Sequence, residues 1–151
     1  MKRGLVSLRA TETHRDLLSE VTNWTDDGDE LVLLWHLDGA EYDADVDTLE
    51  SVGRVEHVDY DHSAVIDGAA ADAKEFTEPV LADADVEAHV VVSVDSASSR
   101  ARNVLDTAAE HDCDHAFIVG TSRSPTGKAV FGDFAQRVIL NFDGYTTVVT
   151  E

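Results

Sequence analysis

Short apolar runs alternate along the chain with stretches whose apolar residues recur at helical spacing, and this alternation constrains the fold more than any other feature of the sequence. Gly4 to Leu8 reads as a buried strand. Thr11 and Thr13 are helix-start candidates, Leu17, Val21 and Trp24 follow at helical spacing, and Thr25-Asp26-Asp27-Gly28 stops that helix. Glu30 to Leu37 is apolar almost throughout, the pattern of a parallel strand buried on both faces. The stretch from Asp38 to Asp61 is acidic and irregular, with a short turn of helix near Thr48 to Val52 and a weakly alternating piece, Arg54 to Tyr60, suited to an edge.

From Asp61 the helical pattern returns, with Val65, Ala69, Ala73, Phe76 and Val80 on one stripe and a kink or early end expected at Pro79. Val86 to Val94 is the next strand, Ser96 or Ser98 is placed to cap a helix with Ala101, Val104, Leu105 and Ala108 on its apolar face, and His115 to Val119 is the strand after it. A glycine-containing loop from Gly120 to Gly132 leads into a helix with Ala135, Val138, Ile139 and Phe142 on one face, and Tyr145 to Thr150 closes the chain as a β-branched strand. The order implies one α/β domain over residues 1–151, an open five-stranded parallel sheet with helices on both faces. In such sheets ligands bind beyond the carboxyl ends of the strands at a switch in strand order, so the loops after Leu8, Leu37, Val94 and Val119 are the ones that matter.

The 151 residues suit one domain, and they carry 31 acidic against 11 basic side chains for a net charge of -20. Asp outnumbers Glu, and Lys2, Lys74 and Lys128 are the only lysines. Such a surface repels nucleic-acid phosphates and anionic membranes, and it stays hydrated where salt is high. The longest apolar run, Leu31 to Trp35, is far too short for a membrane span or a signal-peptide core, which makes a soluble cytoplasmic protein the expectation. Cys113 is the only cysteine, so no internal disulfide forms.

The loop Gly120-Thr-Ser-Arg-Ser-Pro-Thr-Gly127-Lys-Ala-Val-Phe-Gly132-Asp leaves a strand and enters a helix, the setting in which backbone amides cradle phosphate. It is not a Walker loop, because the interval between its first two glycines is too long and Ala129 follows Lys128 where a hydroxyl is required. It does resemble the universal stress protein family, whose signature reads G-x2-G-x9-G-S/T. Gly120 matches the first glycine and Gly132 the last, and the βα order matches over almost the whole chain. The stretch from Arg123 to Gly132 looks like the form found in salt-loving archaeal members, and the fold implied is the adenine nucleotide α-hydrolase-like, flavodoxin-like sandwich.

What the resemblance implies is a small stress-response regulatory module that binds ATP or AMP, with Mg²⁺, and hydrolyses it slowly or not at all. In that reading Gly120, Thr121 and Ser122 give amides and hydroxyls to phosphate, Gly127 lets the backbone approach, Arg123 and Lys128 offset charge, and Gly132 opens the helix. The sequence departs from the pattern in three places. Arg123 replaces the second glycine and the span to Gly132 is one residue short; Arg9-Ala10-Thr11 lacks the Asp expected after the first strand; and Asp133 replaces the final hydroxyl. A carboxylate at a helix start competes with an anion for the same amides, so Asp133 serves either beside a phosphate or as the cap of its own helix. The alternative is therefore a member without nucleotide binding that acts as a dimerising interaction module. An enzyme of the related α-hydrolases is disfavoured, since Leu8-Arg9-Ala10-Thr11 is unlike their Ser-Gly-Gly-x-Asp-Ser loop.

Other residues invite chemistry less. His111-Asp-Cys-Asp-His115 gathers metal-binding side chains at a helix-to-strand junction, where strand alternation sends neighbours to opposite faces, so no metal is expected. Cys113 reads as a small buried hydrophobe, and Trp24 and Trp35 as core residues. His14 and His36 lie nearest the carboxyl ends of strands; His36, inside an apolar strand, reads first as a satisfied core or cleft residue. No Gly-x-Ser-x-Gly elbow exists, spacing alone assembles no Ser-His-Asp triad, and no catalytic residue is assigned. The last strand, Tyr145, Thr146, Thr147, Val148, Val149 and Thr150, has no Pro or Lys to protect an edge, and it is the expected homodimer seam.

Overall fold

The computed structural model describes residues 1–40, 43, 62–123 and 130–151. Its elements run β1 (Arg3–Leu8), α1 (Glu12–Trp24), β2 (Glu30–Asp38), α2 (His62–Leu81), β3 (Glu87–Asp95), α3 (Arg100–Glu110), β4 (His115–Gly120), β5 (Ser122–Arg123), β6 (Val130–Phe131), α4 (Asp133–Asn141) and β7 (Tyr145–Thr150). The main sheet is parallel throughout, in the order β3-β2-β1-β4-β7. The chain thus moves outward from β1 to β3 and then crosses to β4 on the other side of β1. That reversal opens a crevice between the carboxyl ends of β1 and β4.

Strand alternation sorts the core into two layers. Val6 and Leu8 of β1 and Leu31, Leu33 and Trp35 of β2 pack with Leu17, Leu18 and Val21 of α1 and Ala69 and Ala73 of α2. Leu5, Val32 and Leu34 point the other way, onto Ala101, Val104 and Ala108 of α3 and Ala135 and Val138 of α4. Each leucine taken wholly out of water contributes roughly 1.5–3 kcal/mol, so the two faces of β1 and β2 carry much of the stability. On α1, Thr11 caps the first turn by accepting from the His14 backbone N–H at 3.2 Å.

Several local expectations are corrected. The helix containing Pro79 neither stops there nor loses its last turn: Val80 and Leu81 pack against the core and hold it. Proline so near the end removes only one ladder bond. The cap of α3 is Ser99 rather than Ser96 or Ser98; its Oγ accepts from the Ser96 backbone N–H at 2.9 Å and makes no capping bond. Thr107 joins the buried face of α3, where Leu105 is only partly covered. Trp24 is half exposed at the end of α1, and Ile139 is exposed on α4, whereas Trp35 is buried against Phe76. Within the glycine loop the ends form a two-stranded antiparallel ladder, Ser122 opposite Phe131 and Arg123 opposite Val130. The readings for Thr48 to Val52 and Arg54 to Tyr60 lie outside the described residues.

Candidate functional site

The crevice at the switch point holds a cavity of about 170 Å³. Ser7 and Val119 come from the strand ends and Arg9 and His14 from the turn into α1. Arg100 comes from the start of α3, and Thr121, Gly132, Phe134 and Ala135 from the approach to α4, with Glu151 at the rim. Two arginines on one small cavity are a marked concentration in a chain with 11 basic residues and a net charge of -20. Glu151 shares the lining with them, so the cavity brings together charges of both signs.

The glycines of the loop turn out to have structural duties. A Cβ on Gly120 would stand 2.8 Å from Ala135 Cβ and 3.1 Å from Val148 Cγ1, so glycine is what lets α4 lie close on β4. Gly132 is the N-cap of α4 and donates its N–H to the Thr121 carbonyl at 2.8 Å, leaving no room for a side chain beside Thr121 Oγ1. Asp133 is the first helical residue, the N-cap position before it is Gly132, and among the described residues no side chain makes a capping hydrogen bond. The first turn of α4 therefore presents Phe134 and Ala135 to the cavity, and among the described residues no side chain caps its amides. Of the residues expected at this site, Thr121 and Gly132 line the cavity, whereas Gly120 and Asp133, their neighbours at the end of β4 and the start of α4, are not among its lining residues. Ser122 and Arg123 are placed by their backbone in the small ladder, and Gly127 and Lys128 lie outside the described residues.

Sequence spacing did not reveal the floor of the cavity. Ser7 follows Leu5, and His36 follows Val32 and Leu34, so alternation aims both at the α3 and α4 layer. The register pairs Ser7 with Leu34 and His36 with Ser93. Each next polar residue is therefore displaced by two positions toward the carboxyl edge, and Ser7, His36 and Asp95 form a diagonal across three strands. Ser7 Oγ lies 2.7 Å from His36 Nε2, and His36 Nδ1 lies 2.5 Å from Asp95 Oδ2. A carboxylate only accepts, so Nδ1–H donates to Asp95, and in the neutral imidazole Nε2 then accepts from the Ser7 hydroxyl. All three residues are buried, and Phe134 sets its ring edge-on to the imidazole at 6.4 Å.

Arg100 completes the network from above. Its Nε is 3.9 Å from Asp95 Oδ1, too far for a hydrogen bond, and both atoms are buried without a hydrogen-bond partner. Burial, and then the nearby Arg9 charge, hold the Arg100 guanidinium below its usual pKa. Burial also pushes the His14 imidazole down to about 4, against the opposing pull of Glu151, so His14 is neutral at pH 7. Its Nδ1 shares a 2.6 Å hydrogen bond with Thr11 Oγ1.

The His111 to His115 cluster is dispersed by its bonds. Asp114 takes the backbone N–H groups of Lys2 and Arg3 at 3.0 and 3.3 Å, and His115 stacks on Phe117 and reaches Thr147 Oγ1 at 2.8 Å. Cys113 is buried, and burial pushes its thiol up to about 11. Among the described residues no helix is long and apolar enough to cross a membrane.

No family model matches the sequence, and no curated protein matches it. Solved structures do. A hypothetical protein whose biochemical function was assigned from its structure aligns with a TM-score of 0.68 at 15% identity, over 99% of this chain and 96% of its own. The universal stress protein UspA from Lactobacillus plantarum aligns with a TM-score of 0.63 at 15% identity, over 98% and 97%. The universal stress protein from Archaeoglobus fulgidus in complex with dAMP aligns with a TM-score of 0.53 at 14% identity, over 98% and 97%. Shared over nearly the full length, with the sheet strands in the sequence order 3-2-1-4-5, the architecture of this chain is the adenine nucleotide α-hydrolase-like α/β fold found in universal stress proteins.

Proposed function

We propose that the protein is a universal stress protein of the salt-adapted type, a cytoplasmic homodimeric regulatory module that binds an adenosine phosphate at the switch-point crevice and turns it over slowly or not at all. The observation that carries this reading is the cavity at the carboxyl ends of β1 and β4, where Arg9, Arg100 and the first turn of α4 converge in an otherwise acidic chain. The dAMP complex of the Archaeoglobus fulgidus protein, which shares the fold, supports it. At about 170 Å³ the cavity suits one phosphate group, well below the roughly 300–1,000 Å³ of pockets that take a whole ligand of drug size. The remainder of a nucleotide lies across its mouth, and Mg²⁺ accompanies the phosphates in the ATP form.

One observation favours the second reading, a dimerising interaction module without nucleotide. Glu151 stands at the cavity rim and Asp133 at the first position of α4, and both repel an anion. The deciding experiment is titration with AMP and with ATP plus Mg²⁺ in molar KCl, following heat and melting temperature together, on the native chain and on Arg9→Gln and Lys128→Ala. Saturable heat and a rise in melting temperature, both weakened in the variants, establish the nucleotide reading. No heat and no thermal shift up to millimolar nucleotide establish the second.

A further inference from the structure

From the diagonal Ser7–His36–Asp95, we infer that the floor of the cavity is a serine-nucleophile site for acyl transfer, whose substrate class is small carboxylic esters bearing an anionic group. The inference goes beyond nucleotide binding and does not rest on it. Three geometric requirements of such a site are met together. The nucleophile and its base are joined at 2.7 Å, the base and its orienting carboxylate at 2.5 Å, and Ser7 lines a cavity that opens to solvent between two strand ends. Asp95 also takes a 3.3 Å hydrogen bond from Ser93 Oγ, which fixes the carboxylate on its own strand. The imidazole is held from both nitrogens and by the edge contact with Phe134, so it keeps one tautomer and one orientation.

The chemistry follows from these atoms. Ser7 Oγ attacks the ester carbonyl carbon while its proton passes to His36 Nε2, and the carbonyl π pair moves onto oxygen. Asp95 stabilises the resulting imidazolium through Nδ1–H and stays ionised. Arg100, on the same wall, is the cationic donor for the oxyanion. Collapse of the tetrahedral species breaks the bond to the alkoxide, which leaves with the proton from His36. A water molecule then attacks the acyl-Ser7 ester, gives its proton to His36, and releases the carboxylic acid as Ser7 regains its proton. Ester and water become acid and alcohol, with nothing else consumed. Substrate preference comes from the walls: about 170 Å³ admits a small acyl group, and Arg9 favours a negative substituent on it.

The test is a pair of measurements on the full chain in molar KCl. First, hydrolysis of p-nitrophenyl hemisuccinate and p-nitrophenyl acetate is compared for the native chain, Ser7→Ala, His36→Gln and Arg9→Gln. Second, a fluorophosphonate probe is added and the modified residue located by mass spectrometry. The expected result is a probe adduct on Ser7, turnover lowered about 10²–10⁴-fold in Ser7→Ala and His36→Gln, and a preference for the hemisuccinate that shrinks about tenfold in Arg9→Gln. Native turnover equal to that of a folded Ser7→Ala, or an unmodified Ser7 after probe treatment, overturns the inference. Should Ser7→Ala fail to fold, the adduct on the native chain decides alone. Because the nucleotide titration reads a different ligand and does not depend on Ser7 as a nucleophile, either conclusion can fail without the other.

Discussion

His36 pairs in register with Ser93, yet its Nδ1 reaches Asp95, two residues further along β3, at 2.5 Å. The diagonal matters because both side chains are buried and each is the other's main polar partner. Truncating Asp95 leaves the His36 N–H buried without its acceptor, a loss of about 1–3 kcal/mol. Asp95→Ala is therefore expected to lower the unfolding free energy by about 2–3 kcal/mol in urea titration. Ser93→Ala, which removes a longer and partly exposed bond, is expected to cost about 1 kcal/mol. Equal effects of the two would show that the diagonal contributes nothing special.

His14 makes stability depend on pH with a definite sign. Burial lowers its folded pKa to about 4 from an ordinary 6.5, so between those values the unfolded chain binds the extra proton and stability falls as pH falls. The contribution is complete above pH 6.5, and its loss amounts to about 3 kcal/mol by pH 4. Measured against the native chain, His14→Asn is expected to flatten this part of the stability profile. An anion in the cavity is expected to raise the His14 pKa, which NMR titration with and without AMP reads directly.

Much of this architecture was legible because it rests on local pattern. The alternation of buried runs and helical stripes fixed the βα order, and Gly120 and Gly132 marked the loop at the sheet switch. The Ser7–His36–Asp95 diagonal was not legible, since it depends on two strand registers that bring together residues 29 and 59 positions apart. The parity of Leu5 with Ser7 and of Leu34 with His36 was the one available signal, and it places both polar groups on the α3 and α4 face. The helix cap failed for a different reason: three serines, Ser96, Ser98 and Ser99, precede the helix, and the Ser99 hydroxyl at its start takes the Ser96 N–H instead of a helix amide. Arg9 and Arg100 lie 91 positions apart in sequence, and only the crossover from β3 to β4 puts them on one cavity.

Cys113 is expected to be a slow thiol. Burial raises its pKa from 9.0 to about 11, which cuts the thiolate fraction near pH 8 about 100-fold. Reaction with a disulfide reagent should be correspondingly slow in the folded chain and return to the ordinary rate in urea. A fast native-state reaction would mean that the loop at Asp112, which has a φ of 53°, opens readily.

The net charge of -20 predicts a fold that loosens as salt is withdrawn. Screening acts over about 3 Å at 1 M salt and about 10 Å at 0.1 M, so neighbouring carboxylates repel far more strongly in dilute buffer. A melting temperature that climbs steadily from dilute buffer to molar KCl is the expected result. Identical values would place the acidic side chains too far apart to interact.

The edge of the sheet supplies the last expectation. β7 pairs with β4 on one side, and Tyr145 at its start is 76% exposed. Among the described residues no strand pairs with its other side, and a β-branched edge with no charge or proline inside it invites a second copy. A strand at the outer edge meets its own symmetry mate by a two-fold, which closes the contact and stops growth at a dimer. Light scattering in molar KCl at micromolar concentration is expected to give twice the 16.4 kDa chain mass. Thr146→Lys, which puts a cation on that strand and sets it against its own copy across the two-fold, is expected to give the monomer with the main fold intact. A monomeric native chain would remove β7 as the seam and leave its exposed tyrosine for another partner.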